Sequence, residues 1–278
     1  MPRVTGLFIY PVKALRGCAV PTAEIDAMGF VGDRRFLVID ETGTFQTQRT
    51  VPRMARIATQ LANGTLTLSA DGAGSISVPT ASDPAAPLRT VSVWKSTGLQ
   101  AEDCGNAAAR WFSDFLATPV RLVRIGAKFT RPVTKSAAKP GDLVHFGDAA
   151  PLLIIGQGSL DDLNDRIQAN HGEPVPMNRF RPNIVVDGCA PFAEDAWPRL
   201  RIGNAVLRHS GLCARCIVTT TDQLTGERPG KEPLKTLASF RRDAKDPTDV
   251  NFGTNLINET KQGLIRVGDE VTLLPASA

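Results

Sequence analysis

Short apolar runs separated by turn residues dominate this chain. Such runs predict strands at residues 4–10, 18–26, 35–40, 55–61, 66–69, 75–79, 88–93, 119–124 and 151–156. Apolar side chains recur at helical spacing at residues 106–116 and 232–242, where Pro233 would occupy the first helical position. Ser159 is a candidate N-cap for a third helix. The pattern predicts a mainly β fold with a few helices.

Two similar phrases, at residues 200–207 and 265–273, each read as strand, tight turn and strand. Two such hairpins around a β-rich middle favour a barrel over an open sheet. The length of 278 residues allows one large or two modest domains. We place the boundary between residues 1–121 and 122–278, and we expect part of the N-terminal segment to complete the second barrel.

Composition excludes several classes of protein. The net charge of +4 is mild, and one tyrosine and three tryptophans do not supply the aromatic platforms of a nucleic-acid binder. No apolar run approaches the roughly 20 residues that span a bilayer, and the N-terminus has no signal-peptide pattern. Five cysteines argue against a secreted disulfide scaffold. We therefore expect a cytoplasmic protein that binds neither nucleic acid nor membrane.

The pair Cys213 and Cys216 forms a Cys-x-x-Cys motif. A zinc site of this kind needs a second pair, and the other three cysteines stand singly. A redox dithiol normally precedes a helix, whereas the β-branched residues 217–222 predict a strand. The motif favours a single thiolate presented to a soft metal from a β scaffold, although Cys216 alone is also typical of a buried structural cysteine.

Arginines offer candidate anion contacts. Arg179 and Arg181 lie two residues apart in a predicted extended segment, so both guanidinium groups would share one face while Phe180 enters the core. Guanidinium groups bind phosphate and carboxylate bidentately, but for the pair taken alone a solvated strand face is the more common explanation. Lys13 and Arg34 are further cations at predicted strand ends.

Taken together, the phrases resemble a known family. Residues 9–17, 32–40 and 45–49 resemble the N-terminal β-barrel of MOSC proteins, and residues 159–164, 179–188, 213–220 and 252–255 resemble the MOSC domain. Within that family, the phrases resemble the amidoxime-reducing components and their bacterial counterparts. The resemblance implies a β-barrel MOSC fold with a smaller N-terminal β-barrel-like domain and a molybdenum–pyranopterin cofactor. It also implies two-electron reduction of N-hydroxylated compounds such as amidoximes, hydroxylamines and N-hydroxylated bases.

The resemblance assigns roles to individual residues. It implies that Cys216 is the molybdenum ligand and the catalytic residue. The matching cofactor-binding positions are Lys13, Ala14, Arg34, Arg181, Asn183, Ala214, Arg215 and Cys216. Ala14 replaces a serine, which removes a hydroxyl contact to the cofactor phosphate, and Ala149 and Ala150 replace a more polar pattern. Cys189 matches a recurrent family cysteine without an assigned role, and pyridoxal phosphate binding is a further expectation.

The electron donor is expected to be a separate protein. The chain ends after the last predicted strand without the cysteine cluster of an iron–sulfur domain. A ferredoxin-like protein, a flavoprotein or a cytochrome would serve. Two alternatives remain: a carrier of the molybdenum cofactor or of sulfur without turnover, and a zinc-binding or thiol-exchange protein that uses Cys213 and Cys216 together. Residues 127–142 form a long polar loop, and we expect its residues 127–140 to shape substrate entry.

Overall fold

The computed structural model describes residues 1–276, and strands dominate it, with three α-helices in the described part. The strands are β1 Arg3–Ile9, β2 Cys18–Ala19, β3 Thr22–Asp26, β4 Gly29–Phe30, β5 Phe36–Ile39, β6 Ala58–Ala62, β7 Thr65–Ala70, β8 Gly74–Pro79, β9 Leu88–Val93, β10 Ser96–Asp103, β11 Arg121–Arg124, β12 Leu152–Gly156, β13 Ile184–Asp187, β14 Arg199–Ile202, β15 Ala205–Ala214, β16 Asn251–Asn258, β17 Gly263–Arg266 and β18 Val271–Leu274. The helices are α1 Asn106–Leu116, α2 Gln157–Ala169 and α3 Leu234–Phe240. Short 3-10 helices span Pro52–Arg56, Met177–Arg179, Ala193–Ala196 and Ile217–Thr220. The mainly β fold class is confirmed.

The largest sheet has eight strands in the order β18-β14-β15-β16-β12-β13-β1-β2. Its neighbours are antiparallel except β12 and β13, which are parallel. Strand β16 is buried along its whole length, because the sheet is covered on both faces there. Its apolar core includes Leu7, Ile154, Ile184, Leu200, Leu207 and Leu256. This sheet carries the Cys-x-x-Cys motif at the end of β15.

The N-terminal strands join the sheets of the second half. Strand β1 pairs with β13, with Leu7 opposite Ile184, and β3 pairs with β17. The two halves of the sequence are therefore interleaved, as expected for an N-terminal segment that completes the second barrel. The domain boundary at residues 121 and 122 stays a prediction.

The remaining strands form three smaller sheets, β5-β11-β10-β9, β6-β7-β8 and β17-β3-β4. Helix α1 packs beside the first two and contributes Phe112 to a core shared with Val38, Met54, Leu66 and Leu122. Helix α1 coincides with the predicted residues 106–116, and β9 coincides with the predicted residues 88–93. Strand β10 was missed by the sequence pattern.

The second predicted hairpin is wrong. Strand β17 pairs with β3, and β18 pairs with β14, although the first hairpin, β14 with β15, is confirmed. The intervening turn is held by other strands, because Val267 N donates to the carbonyl oxygen of Pro21 and Gly268 N donates to that of Val4. The chain thus crosses from one sheet to another at this turn.

Two helix starts also differ from the prediction. Helix α2 begins at Gln157, and the Ser159 hydroxyl donates to the Glu194 carboxylate at 2.8 Å rather than capping the helix. Pro233 precedes α3, since its carbonyl accepts the first helical bond from Leu237 N at 3.0 Å. A buried tertiary partner outweighs the local capping preference of Ser159.

Candidate functional site

A cleft of about 230 Å³ lies where N-terminal loops meet the segments around β13 and β15. All of the predicted site residues line its wall: Lys13, Ala14, Arg34, Arg181, Asn183, Ala214, Arg215 and Cys216. These positions are widely separated in sequence, and the interleaved sheets bring them together. Ala149 and Ala150 also line the cleft.

Several residues on this wall adopt a left-handed backbone. Ala14 has φ 68°, Arg34 has φ 46° and Arg181 has φ 56°. With Trp94, four of the eight described non-glycine residues at positive φ line the cleft. Such a residue costs roughly 1–3 kcal/mol and persists where the surrounding structure holds it, which occurs most often at functional sites.

Two guanidinium groups stack against a single tyrosine ring. The guanidinium carbon of Arg34 lies 4.7 Å from the centre of the Tyr10 ring, and that of Arg181 lies 4.3 Å from it. Burial raises the pKa of Tyr10 to about 12 and lowers the pKa of Arg181 to about 10. Both arginines therefore remain cationic at neutral pH and concentrate positive charge at this end of the cleft.

Asp33 anchors this cationic end from beneath. Its carboxylate is fully buried and accepts from Tyr10 N at 2.7 Å, from the Asn183 amide at 3.0 Å and from Arg34. Burial alone would raise its pKa, but the Arg34 guanidinium and the His145 ring outweigh burial and hold it below the usual range. Asp33 therefore stays ionised and neutralises part of the Arg34 charge.

His145 completes this buried group. Its Nδ1 accepts from Gly147 N at 2.8 Å, so Nε2 carries the proton and faces Pro151 O at 3.0 Å and Asp33 at 3.2 Å. Burial lowers the pKa of His145, although Asp33 opposes the shift. The ring is a neutral donor that fixes the orientation of the Asp33 carboxylate.

The Asn183 side chain is fully committed to protein partners. Its amide nitrogen donates to Asp33 and to the carbonyl oxygen of Phe8, at 3.0 Å and 3.2 Å. Its amide oxygen accepts from Leu153 N at 3.2 Å and from Arg34 Nη1 at 3.1 Å. The side chain thus holds Arg34 in place from the cleft wall.

Lys13 supplies a buried cation at the other side of the cleft. Its ammonium pairs with Asp148 and lies 5.2 Å from the centre of the Phe45 ring. Asp148 also accepts from the indole nitrogen of Trp94 at 2.8 Å. Burial lowers the pKa of Lys13, and Asp148 opposes this shift. An anion that displaced Asp148 would gain a preformed cationic pocket.

Cys216 begins a turn rather than a strand, so the predicted strand at residues 217–222 is wrong. The residues Ile217–Thr220 form a 3-10 helix, in which the hydroxyl of Thr219 donates to the carbonyl oxygen of Cys216 at 3.0 Å. The hydroxyl of Thr220 donates to Ile217 O at 2.8 Å. Threonine hydroxyls that bond their own backbone compete with sheet pairing. The Cys216 thiol is partly exposed on the cleft wall.

The predicted extended segment around Arg179 and Arg181 is also wrong. Arg179 ends a 3-10 helix and Arg181 has a left-handed backbone, so the two side chains do not share a strand face. Arg179 donates to Thr220 O at 2.8 Å and pairs with Asp222 at 3.1 Å, which ties it to the turn after Cys216. Phe180 is buried as predicted.

Two arginines on the wall retain unused buried donors. Arg215 donates to Phe252 O at 2.7 Å and to Phe180 O at 3.0 Å, and its Nη2 has no partner within residues 1–276. Arg179 Nε is also buried without a partner in this described part of the chain. A buried donor without a partner costs about 1–3 kcal/mol, so an anionic group in the cleft would relieve this cost.

The described residues hold no group of three His, Cys, Asp or Glu side chains suited to a metal ion. Burial raises the pKa of the Cys213 thiol, which favours its protonated form. Cys189 does not line the cleft. Cys213 and Cys216 both line the cleft as partly exposed thiols, and any further ligands of a soft metal would have to come from a bound group.

Sequence patterns missed Asp33, His145 and Asp148, which hold the basic residues in place. Their signal was weak, since a lone acid or histidine is most often a surface residue or a structural one. The loop at residues 127–142 does reach the cleft, because Lys135 lines it. Arg131 in the same loop donates to His145 O at 2.8 Å, which fixes the loop against the wall.

Comparison with known proteins gives matches over almost the whole chain. The MOSC N-terminal beta barrel domain family matches residues 1–119, and the MOSC domain family matches residues 141–272. The chain is 38% identical to mitochondrial amidoxime-reducing component 1 of Mus musculus, over 98% of this chain and 82% of that protein. It is also 38% identical to mitochondrial amidoxime-reducing component 1 of Homo sapiens, over 98% of this chain and 82% of that protein. It is 37% identical to mitochondrial amidoxime reducing component 2 of Bos taurus, over 96% of this chain and 82% of that protein.

These relatives correct one expectation. Each of the three is named mitochondrial, which contradicts the predicted cytoplasmic location. Composition and the absence of a recognisable targeting signal were too weak to assign a compartment. No helix within residues 1–276 has the length and apolarity to cross a membrane. Pyridoxal phosphate binding is not confirmed by these similarities and stays a prediction.

Proposed function

Because this chain belongs to the MOSC-domain family of amidoxime-reducing components, we propose that it is a molybdenum-cofactor-dependent reductase of N-hydroxylated compounds. The reaction is R–NH–OH + 2 e⁻ + 2 H⁺ → R–NH₂ + H₂O, in which the N–O bond breaks and the oxygen leaves as water. Amidoximes, hydroxylamines and N-hydroxylated bases are the substrate class.

The chemistry of the cleft fits a pyranopterin phosphate with a metal. Lys13, Arg34 and Arg181 line the wall, and Arg215 keeps a buried donor that has no partner among the described residues. A phosphate dianion requires such a set of charges. A thiol at Cys216 and dithiolene sulfurs of the cofactor are the soft donors that suit a metal that changes oxidation state. When bound, the cofactor would supply two-electron redox chemistry.

The protein's own residues bind, orient and shield. Asp33 and Asn183 hold the Arg34 guanidinium towards the cleft, and His145 holds Asp33. The hydroxyl of Thr219 fixes the turn that presents Cys216. Because these partners are buried and satisfied, the donors keep their places before a ligand arrives, which lowers the cost of ordering on binding.

One observation carries the proposal. The Cys216 thiol and three separate cations lie on the wall of the same cleft, although they come from distant parts of the chain. Non-glycine residues with a left-handed backbone cluster at functional sites, so the four that line this cleft favour a functional role for Cys216 over a purely structural one.

Metal analysis of purified protein tests the proposal. We expect about one molybdenum atom per chain in the wild type and near-complete loss in Cys216→Ser. Cys213→Ser is the matched control, since it makes the same replacement of sulfur by oxygen at the other cysteine of the motif. This variant should retain most of the metal. Stoichiometric zinc, or equal loss in both variants, would contradict the proposal.

Turnover then separates an enzyme from a carrier. Benzamidoxime with reduced methyl viologen should be converted to benzamidine by the wild type, and activity should fall at least about 100-fold in Cys216→Ser. Protein that holds molybdenum without turning over any N-hydroxylated compound would instead be a cofactor carrier. A persulfide on a cysteine would favour a sulfur carrier.

A further inference from the structure

Five arginines cluster beside the cleft on segments that pack against one another. This arginine face consists of Arg16, Arg49, Arg53, Arg56 and Arg228. Arg228 donates to the carbonyl oxygens of Gln48 and Arg49, and Arg16 donates to those of Gln223 and Leu224, at 3.2 Å and 3.3 Å. Gly226 packs so closely on Arg53 that an added Cβ would lie 3.1 Å from its Cα. Residues 48–56 and 222–228 therefore form one surface.

The positive charge of this face is not neutralised by ion pairs. Within the described part of the chain, no carboxylate forms a salt bridge with any of the five arginines. Of the two acids in these segments, Asp222 is paired with Arg179 and Glu227 is exposed.

Aromatic rings hold three of the guanidinium groups in place. Arg53 and Arg56 lie 4.5 Å and 5.9 Å from the centre of the Phe115 ring. Arg49 lies 4.6 Å from the Trp94 ring. Charges fixed by stacking lose little side-chain entropy when a partner binds, in contrast to mobile surface lysines.

The arginine face continues directly into the cleft. Arg49 belongs to both, the neighbouring Gln48 also lines the cleft, and the turn after Cys216 reaches the same rim. Two apolar side chains are exposed there: Leu224 keeps 65% of its surface accessible and Ile217 keeps 45%. Apolar side chains beside charged ones are typical of transient protein interfaces.

We propose that the arginine face is the docking surface for an acidic one-electron redox protein. The proposal rests on the reductase function, because each turnover consumes two electrons and two protons, and two successive encounters would deliver the electrons. A partner seated here would place its redox centre at the mouth of the cleft that holds Cys216. Complementary charge would accelerate its association and make the rate sensitive to salt.

The observations favour an acidic protein over other polyanions. Residues 48–56 and 222–228 contain no aromatic side chain, and the adjacent Trp94 and Phe115 rings already stack against arginines of the face, which leaves a nucleic acid few free rings on which to stack. Two exposed apolar side chains are few for insertion into an anionic membrane. The position beside the cleft is explained by electron delivery and by neither alternative.

The test uses the double variant Arg53→Glu/Arg56→Glu, since neither residue lines the cleft. Benzamidoxime reduction is measured with reduced methyl viologen and with three acidic carriers: a [2Fe–2S] ferredoxin, a flavodoxin and a soluble cytochrome b-type haem protein. With at least one carrier, kcat/KM for that carrier should fall about tenfold or more at low ionic strength, and its salt dependence should flatten. Turnover with viologen should stay within about twofold.

The matched control is Arg201→Glu/Arg266→Glu, which changes the net charge equally at exposed sites outside the arginine face. It should leave the carrier kinetics unchanged. The neutral pair Arg53→Gln/Arg56→Gln should give an intermediate loss, and it keeps the test decisive if the glutamate variant unfolds.

Three outcomes would overturn the docking proposal. The first is an equal loss of kcat/KM for the carrier in the control variant and in the test variant. The second is that none of the three carriers supports turnover by the wild type, although viologen does. The third is tight binding to phosphatidylglycerol vesicles that the arginine variants abolish while kcat/KM for every carrier stays unchanged. Failure with viologen itself would instead refute the reductase function.

Discussion

The substitution Asp33→Asn tests the buried group beneath the cleft most directly. It preserves shape but removes the charge that faces Arg34, whose side chain is only 14% exposed. It also places amide hydrogens against Asn183 and His145, which already donate to Asp33. Removing one partner of a buried ion pair costs about 3–5 kcal/mol. We therefore expect the free energy of unfolding at pH 7 to fall by roughly 3 kcal/mol or more.

The pH dependence gives the same prediction a second signature. Because the folded pKa of Asp33 lies below its unfolded value, its charge stabilises the fold above the unfolded pKa, and this contribution is lost as pH falls towards the folded pKa. The difference between wild type and Asp33→Asn should be constant above about pH 5. It should narrow by about 1 kcal/mol by pH 3, given an unfolded pKa of about 3.9.

Urea unfolding monitored by tryptophan fluorescence at pH 7, 5 and 3 supplies the measurement. Asp71→Asn, at an exposed turn, is the matched control and should change stability by less than about 0.5 kcal/mol. A loss of less than 1 kcal/mol for Asp33→Asn, or a difference that does not change with pH, would refute the account of Asp33 as an ionised anchor.

Two further predictions concern buried amides and a buried acid. Gln48 and Gln223 exchange side-chain hydrogen bonds of 3.1 Å and 2.9 Å across the two halves of the chain, so Gln223→Leu should cost about 1–3 kcal/mol in urea unfolding, and the double Leu variant should recover part of this loss. Additive losses would show that the amides are not coupled. The buried Glu194 carboxyl accepts hydrogen bonds from Gly156 N and from the Ser159 hydroxyl, and burial raises its pKa. The protonated acid therefore stabilises the folded protein most strongly below the unfolded pKa, and this stabilisation is lost as pH rises through the folded pKa. Relative to Glu194→Gln, the wild type should lose stability as pH rises above the unfolded pKa of about 4.3, and an unchanged difference would contradict the raised pKa.

The sequence-based predictions succeeded where an element depends on residues close together in the chain, and they failed where it depends on contacts with distant residues or on side-chain hydrogen bonds. Helix α1 and strand β9 were located exactly, because their patterns report burial of one face and depend on neighbours in sequence. The second hairpin failed because two strands that are adjacent in sequence bind different sheets. The turn after Cys216 failed because threonine hydroxyls satisfied the backbone locally, where β propensity predicted a strand.

In the candidate site, too, some residues could be predicted from the sequence and others were found only in the structure. The resemblance of the surrounding phrases to MOSC proteins nominated Lys13, Arg34, Arg181 and Cys216, whereas residue chemistry alone favoured surface charges and a structural cysteine. Asp33, which holds two of the site residues, could not be nominated, because its importance comes from four donors that converge from distant strands and loops. The arginine face was likewise invisible, since Arg16 and Arg228 meet residues 48–56 only after folding.

The amino-acid sequence by itself determined the strand-rich architecture, the MOSC resemblance and the identity of the groups able to bind an anion and a soft metal. Only the tertiary structure decided which cations share a cleft with Cys216, which side chains hold them and where positive charge remains unpaired. Apolar periodicity and side-chain chemistry are local properties that a linear pattern records. Burial, pKa and the pairing of charges depend on distances between residues far apart in the chain, and these distances exist only in the folded protein.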